Sequence, residues 1–153
     1  MTEEENELFK GESFTLGMGI SFYVDPDAKA SDRNLMGYLA SFSVEKKFFN
    51  HFLLTSGIDS YTIPRSNIRL VGNINLNLMY FFKVSDKVTV SLGTGLFTGF
   101  IHRINSSGIN SGALIGTRIK YKLNKKFDVG INIKYPFFSE SAGILLTNAF
   151  ITF

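Results

Sequence analysis

Two histidines bound the chemistry open to this chain. His102 precedes Ser106 and Ser107, while Ser139 and Glu140 lie in a later segment. A base, a hydroxyl and an acid are the parts of a nucleophilic site, provided that the fold brings them within hydrogen-bond reach. His51 stands apart from any such group. With no cysteine, thiolate nucleophiles, thiolate metal sites and disulfides are all ruled out. Metal-ligand histidine spacing is missing, as is a glycine-rich phosphate loop behind a strand. The expectation is therefore no catalytic constellation, no metal and no cofactor, with His102 a loop histidine.

The remaining charges follow a different pattern. Glu45, Asp59, Arg69, Arg118, Lys120, Asp128 and Lys134 alternate with large apolar residues, as do Asn73, Asn75, Asn77 and Asn132. Strict alternation is a strand signal, because successive side chains point to opposite faces. The same period opens the ordered part of the chain, where FTLGMGISFYV sets Phe14, Leu16, Met18, Ile20, Phe22 and Val24 against small or polar neighbours. Eight such stretches occupy approximately 14–24, 35–45, 51–61, 67–82, 88–101, 113–123, 127–135 and 143–153. The links between them alternate between long and short, as in an up-and-down barrel with tight turns at one end and loops at the other.

One face of these strands is apolar throughout, including Ile68, Leu70, Ile74, Leu76, Val88, Leu92, Leu96, Val129, Ile131 and Ile133, and carries no charge. The other holds the charged and amide groups together with Gly17, Gly19, Gly37, Gly57, Gly93, Gly95, Gly99, Gly116 and Gly130. A soluble lipocalin-like carrier would turn the greasy face inward. Aromatic placement favours the opposite arrangement: Phe14, Phe52, Tyr80, Phe82, Tyr121, Phe127 and Phe153 gather at the short-turn end of their strands. Phe22, Phe100 and Tyr135 lie near the other end. Rings flanking an aliphatic band are a membrane-interface pattern. The predicted fold is an all-β, eight-stranded antiparallel transmembrane barrel.

Composition agrees. Aromatics reach 14% with 16 Phe and no Trp, and mean hydropathy is +0.11 despite 19% charged residues. No apolar run is long enough for a transmembrane helix. A net charge of +3 without one basic stripe gives nucleic-acid binding little support. The start, MTEEENELFKGE, lacks the basic and apolar regions of a signal peptide and reads as an acidic tail over 1–12, ahead of a barrel domain over 13–153.

The chain ends LLTNAFITF, with Phe153 last and Ile151 two places before it on the same face. This resembles the terminal signal of bacterial outer-membrane barrels, although Asn148 stands where a small residue is usual. Together with the eight strands and alternating links, the sequence resembles small outer-membrane barrels of the OmpA and OmpX type. The resemblance implies a Gram-negative outer membrane, periplasmic termini, contact with membrane lipid and lipopolysaccharide, and recognition of Ile151 and Phe153 by the assembly machinery.

An interior only wide enough for side chains implies a plugged polar lumen. Arg118 and Lys120 should be balanced there by Glu45 and Asp128, and Asp59 by Arg69 or Lys134. The inward glycines either relieve crowding or leave a ligand cavity. Function is then expected to be non-catalytic, through surface loops or by packing the barrel wall on a partner membrane protein. The loops are 25–34, 60–67, 101–112 and 136–142, with Asp32, Arg33, His102, Arg103 and Asn105 as binding candidates. The competing enzymatic expectation is lipid A modification at the outer rim. The deacylases of this architecture carry a His-x-Ser-Asn element on the penultimate strand, and the corresponding NIKYPFFSE has no histidine.

Overall fold

The computed structural model describes residues 12–24, 34–49, 51–62, 68–138 and 143–153. Eight strands follow one another: β1 (Glu12–Val24), β2 (Asn34–Phe48), β3 (Phe52–Tyr61), β4 (Ile68–Lys83), β5 (Val88–Arg103), β6 (Ser107–Lys122), β7 (Asp128–Phe138) and β8 (Gly143–Thr152). Each pairs antiparallel with its sequence neighbour, and β1 pairs with β8, so the sheet closes on itself and has no free edge. Reciprocal backbone hydrogen bonds of 2.9 Å between Phe14 and Phe153 extend the closing seam.

Local chemistry fixes two of the tight links. In the β4–β5 turn the Ser85 hydroxyl accepts from the amides of Lys87 (3.3 Å) and Val88 (3.1 Å). In the β6–β7 turn the Asn124 carbonyl does the same for Lys126 (2.8 Å) and Phe127 (2.9 Å). Short polar side chains mimic a backbone turn in this way. The β2–β3 link is held differently, with Phe49 at a positive φ of 60° and its ring edge-on to Phe48 at 4.5 Å.

Several boundaries depart from the sequence expectation, β2 among them, which runs to Phe48 instead of ending at 45. Glu12 already pairs with Lys46, so β1 takes one residue from the expected tail. β7 runs on to Phe138 through a buried Pro136. Its ladder to β8 ends at Lys134↔Leu146, beyond which Pro136 has no bond to donate on that side. The largest departure is the expected loop 101–112. β6 begins at Ser107, and Gly108 to Gly112 pair with Ile101 to Phe97, leaving only Ile104, Asn105 and Ser106 as a link. Glycine and serine there resemble loop residues, yet pairing to a long neighbour determines their conformation.

Burial alternates with the sequence. In β4, Asn73, Asn75 and Asn77 are 4%, 2% and 5% exposed, whereas Ile74 and Leu76 between them are 60% and 52% exposed. The inside of the barrel is polar at mid-depth and its outside is greasy, the inverse of a lipocalin-like carrier.

Candidate functional site

Among the described residues the chemistry converges on the lumen, which has three levels. At the loop end the inward side chains are mainly apolar: Leu39, Tyr61, Val71, Ile101, Ile144 and Leu146 form one buried cluster, beside which Ser21 donates to the Thr62 carbonyl at 2.7 Å. The first four sit on one rung of β2 to β5, through the pairs Leu39↔Tyr61, Tyr61↔Val71 and Val71↔Ile101. Sequence reading missed this apolar stopper. The signal was present, since Tyr61, Val71 and Ile101 are apolar residues on the otherwise polar face.

Below it lies a neutral ion pair. Lys134 Nζ donates to both Asp59 carboxylate oxygens, at 2.8 and 2.7 Å, and Asn75 Nδ2 donates to the same carboxylate at 2.7 Å. Asn77 links onward, donating to Asn75 Oδ1 at 2.9 Å and to Thr55 Oγ1 at 3.1 Å. Arg69, the other expected partner of Asp59, is instead exposed at a register shift of the β4–β5 ladder. A register shift re-aims side chains, so Arg69 does not share the inward direction of Asn73 and Asn75.

Deeper still, one carboxylate serves two cations. Glu45, 1% exposed, forms an ion pair with Arg118 and accepts from Lys120 Nζ at 2.6 Å. Thr15 adds a hydroxyl donor at 3.0 Å and is itself 2.8 Å from Thr152 across the closing seam. The Arg118 guanidinium lies 5.0 Å from the Phe150 ring centre, so its faces meet an aromatic surface instead of water. Asp128, the other expected partner, is half-buried at the turn end of β7, level with Lys122 and Thr152. It makes no contact ion pair with either cation, yet it lines the turn-end cavity beside Lys120 and acts on that ammonium electrostatically. Asn132 is level with Arg118 and Asn148 by register, and Asn148 Nδ2 donates to Ser41 at 2.8 Å.

The glycines make room for this packing. A Cβ added at Gly17 would sit 2.5 Å from Ser41 Oγ and 3.1 Å from Asn148 Cγ, so neighbouring side chains fill the space that glycine leaves. Gly116 differs: nothing comes nearer than 3.5 Å, and it lines a void of about 10 Å³ with Thr55, Asn77, Arg118 and Lys134. That is about the room of one water, which excludes a ligand cavity at this level of the lumen.

The other candidates lie elsewhere. His102 Nδ1 is 2.9 Å from Ser107 Oγ in an exposed pair at the loop end of β5 and β6. Arg103 ends β5 and Asn105 lies in the adjoining turn, which the Arg103 amide closes by donating to the Ser106 carbonyl at 2.8 Å. Asp32, Arg33, Ser139 and Glu140 lie outside the described residues. Ile151 and Phe153, 38% and 47% exposed, point outward beside Phe14. No group of metal-binding side chains occurs among the described residues.

Among the described residues the wall carries a shallow hollow. Ile131, Ala149, Met18, Ala40 and Ser60 succeed each other by register from β7 round to β3 and floor an apolar hollow of about 1180 Å³.

These features define a closed eight-stranded antiparallel barrel with a polar interior and an apolar exterior. Its fold is that of solved outer-membrane barrels. Neisserial surface protein A (NspA) matches with a TM-score of 0.71 at 13% identity, over 94% of this chain and 96% of that one. The N-terminal barrel domain of Pseudomonas aeruginosa OprF gives 0.70 at 16% identity, over 93% and 96%. The attachment invasion locus protein Ail of Yersinia pestis gives 0.56 at 16% identity, over 95% and 100%. No family model matches the chain, and no curated protein matches it in sequence.

Proposed function

We propose that this chain is an integral protein of a bacterial outer membrane that works without catalysis, as a sealed barrel whose contacts are made by its wall. The observation that carries the reading is the inversion of burial in β4, where isoleucine and leucine face out and asparagine faces in. Such a surface is tolerable only against lipid or another apolar surface. The aromatic residues at the turn end, among them Phe14, Tyr80, Tyr121 and Phe153, are all exposed and suit the interfacial zone. The termini and three tight turns then face the periplasm, with Ile151 and Phe153 available to the assembly machinery. Lipid and lipopolysaccharide are the immediate partners.

Wall contact is favoured over loop contact because the expected third loop is a turn of three residues, whereas the hollow over β7 to β3 gives the wall a shape. The test combines folding and conductance. The protein should fold only in detergent or lipid, migrate differently before and after boiling on a denaturing gel, and give no discrete conductance steps in planar bilayers. A monodisperse β-rich protein in plain buffer would overturn the membrane reading, and steady channel steps would overturn the sealed one.

A second reading rests on the His102–Ser107 hydrogen bond, since a base and a hydroxyl in contact near the rim suit acyl transfer. Mass spectrometry of lipid A from expressing cells separates the two. The non-catalytic reading expects identical lipid A with and without the protein. Loss of an acyl chain that returns with His102→Ala would establish the enzyme.

A further inference from the structure

The turn-end mouth of the lumen is a basic bowl. Lys83, Lys87, Lys120, Lys122, Lys125 and Lys126 line a cavity of about 390 Å³, shared with Asp86 and Asp128 and within the ~300–1,000 Å³ of small-molecule sites. Lys120 is committed to Glu45. The side chains of the other five lysines, and of both aspartates, have no ion pair among the described residues, which leaves an excess of three positive side-chain charges in the bowl. These lysines are also held in place: Lys83 and Lys122 end β4 and β6, while Lys87, Lys125 and Lys126 sit in the two turns pinned by Ser85 and Asn124. The Lys122 amide donates to the Lys87 carbonyl at 2.8 Å and so ties one group to the other.

The direction in which the bowl opens follows from strand alternation. Thr89, Lys120, Lys122, Asp128 and Thr152 lie on the inward face, while Tyr121, Phe127 and Ile151 beside them are exposed on the wall. The bowl therefore opens along the barrel axis into water and not sideways into lipid. Ammonium groups of like charge around one concavity repel one another and focus a positive potential into it, which a multivalent anion relieves in proportion to its charge density. Linked phosphates concentrate charge, whereas carboxylates spread it over a carbon frame. Lysine binds phosphate as a point charge, and among the described residues no arginine lines the bowl to grip a planar carboxylate in a fork. We propose that the bowl is a binding site for a soluble polyphosphate-class anion, with two or more linked phosphate groups, that enters from the water at the turn end.

The test follows the full-length protein by amide NMR in nanodiscs of zwitterionic lipid, titrated with inorganic tripolyphosphate. Dispersed signals establish the folded barrel before titration, so a missing site and a failed membrane reading give different spectra. Lys87, Lys122, Lys125 and Lys126 should shift saturably, while Phe49 and His51, in the third turn and outside the bowl, should not. Raising NaCl from about 0.05 to about 0.5 M shortens the screening length from about 14 to about 4 Å and should weaken binding roughly tenfold. The double variant Lys125→Glu/Lys126→Glu reverses two rim charges but keeps the turn's bonds, which use backbone amides, and should abolish the shifts. Citrate should bind more weakly than tripolyphosphate, and nanodiscs containing phosphatidylglycerol without tripolyphosphate should leave the lysine signals in place. No saturable shift, indifference to salt or to charge reversal, or citrate binding as tightly would overturn the proposal. Shifts produced by phosphatidylglycerol alone would assign the bowl to a lipid headgroup and overturn the soluble ligand.

Discussion

The two ion clusters in the lumen solve the same problem with different stoichiometry. At Asp59 one cation meets one anion, and amides complete the shell. At Glu45 two cations share one carboxylate, with Thr15 and the Phe150 ring making up the rest. The upper pair is self-neutralising, so removing both partners leaves no charge stranded, only the Asn75 amide that had donated to Asp59. The lower cluster carries an excess positive charge, so its single acid is the most consequential polar group in the barrel. A buried cation without its counter-charge costs far more than the net worth of the pair.

Glu45→Gln should therefore be the most damaging polar substitution, near the upper end of the ~3–5 kcal/mol typical for breaking a buried pair, because it strands Arg118 and Lys120 together. Asp59→Asn should cost less, near the lower end of that range, since only Lys134 is stranded. The double variant Asp59→Leu/Lys134→Met should recover most of that loss. Reversible denaturant titration in lipid or detergent measures all three. Equal costs for the two acids would remove the distinction between the clusters.

The wall gives the next contrast. Ile131→Arg places a charge at the lipid face for about 2–4 kcal/mol, whereas Asn132→Asp, one residue away, gives Arg118 a second carboxylate and should be neutral or stabilising under the same titration. The smallest effects concern glycine. Gly116→Ala has ordinary contacts and borders a void, so it should gain up to about 0.5 kcal/mol through the unfolded chain. Gly95→Ala would press on the Asn77 side chain and the Leu76 carbonyl, and should destabilise.

Strand number, closure and the assignment of faces were legible in the sequence because each depends on alternation alone. The stretch NINLN suffices to place Asn73, Asn75 and Asn77 inside. Depth was not legible. Whether Asp59 meets Arg69 or Lys134, and whether Asp128 reaches Arg118, depends on register around a tilted cylinder, which no local pattern encodes. The apolar stopper escaped for a related reason: a face judged polar by majority holds Tyr61, Val71 and Ile101 at one level, and that level emerges only when strands are aligned. The start of β6 escaped because Gly108, Ser111 and Gly112 carry turn-like composition into a paired strand.

The lumen pairs also bear on the order of assembly. Glu45 and Lys120 are separated by 75 positions in the chain, as are Asp59 and Lys134. Both acids arrive on β2 and β3, and every cation that neutralises them arrives on β6 and β7. A half-formed sheet of the first four strands would present two carboxylates and none of these counter-ions, and the later half would present the reverse. Each half alone is thus poorly suited to enter the apolar phase, and the acids meet their counter-ions only when the circle is complete. Partly built intermediates should remain in the aqueous or interfacial zone until closure, which makes insertion of this barrel a concerted event set by its own lumen chemistry.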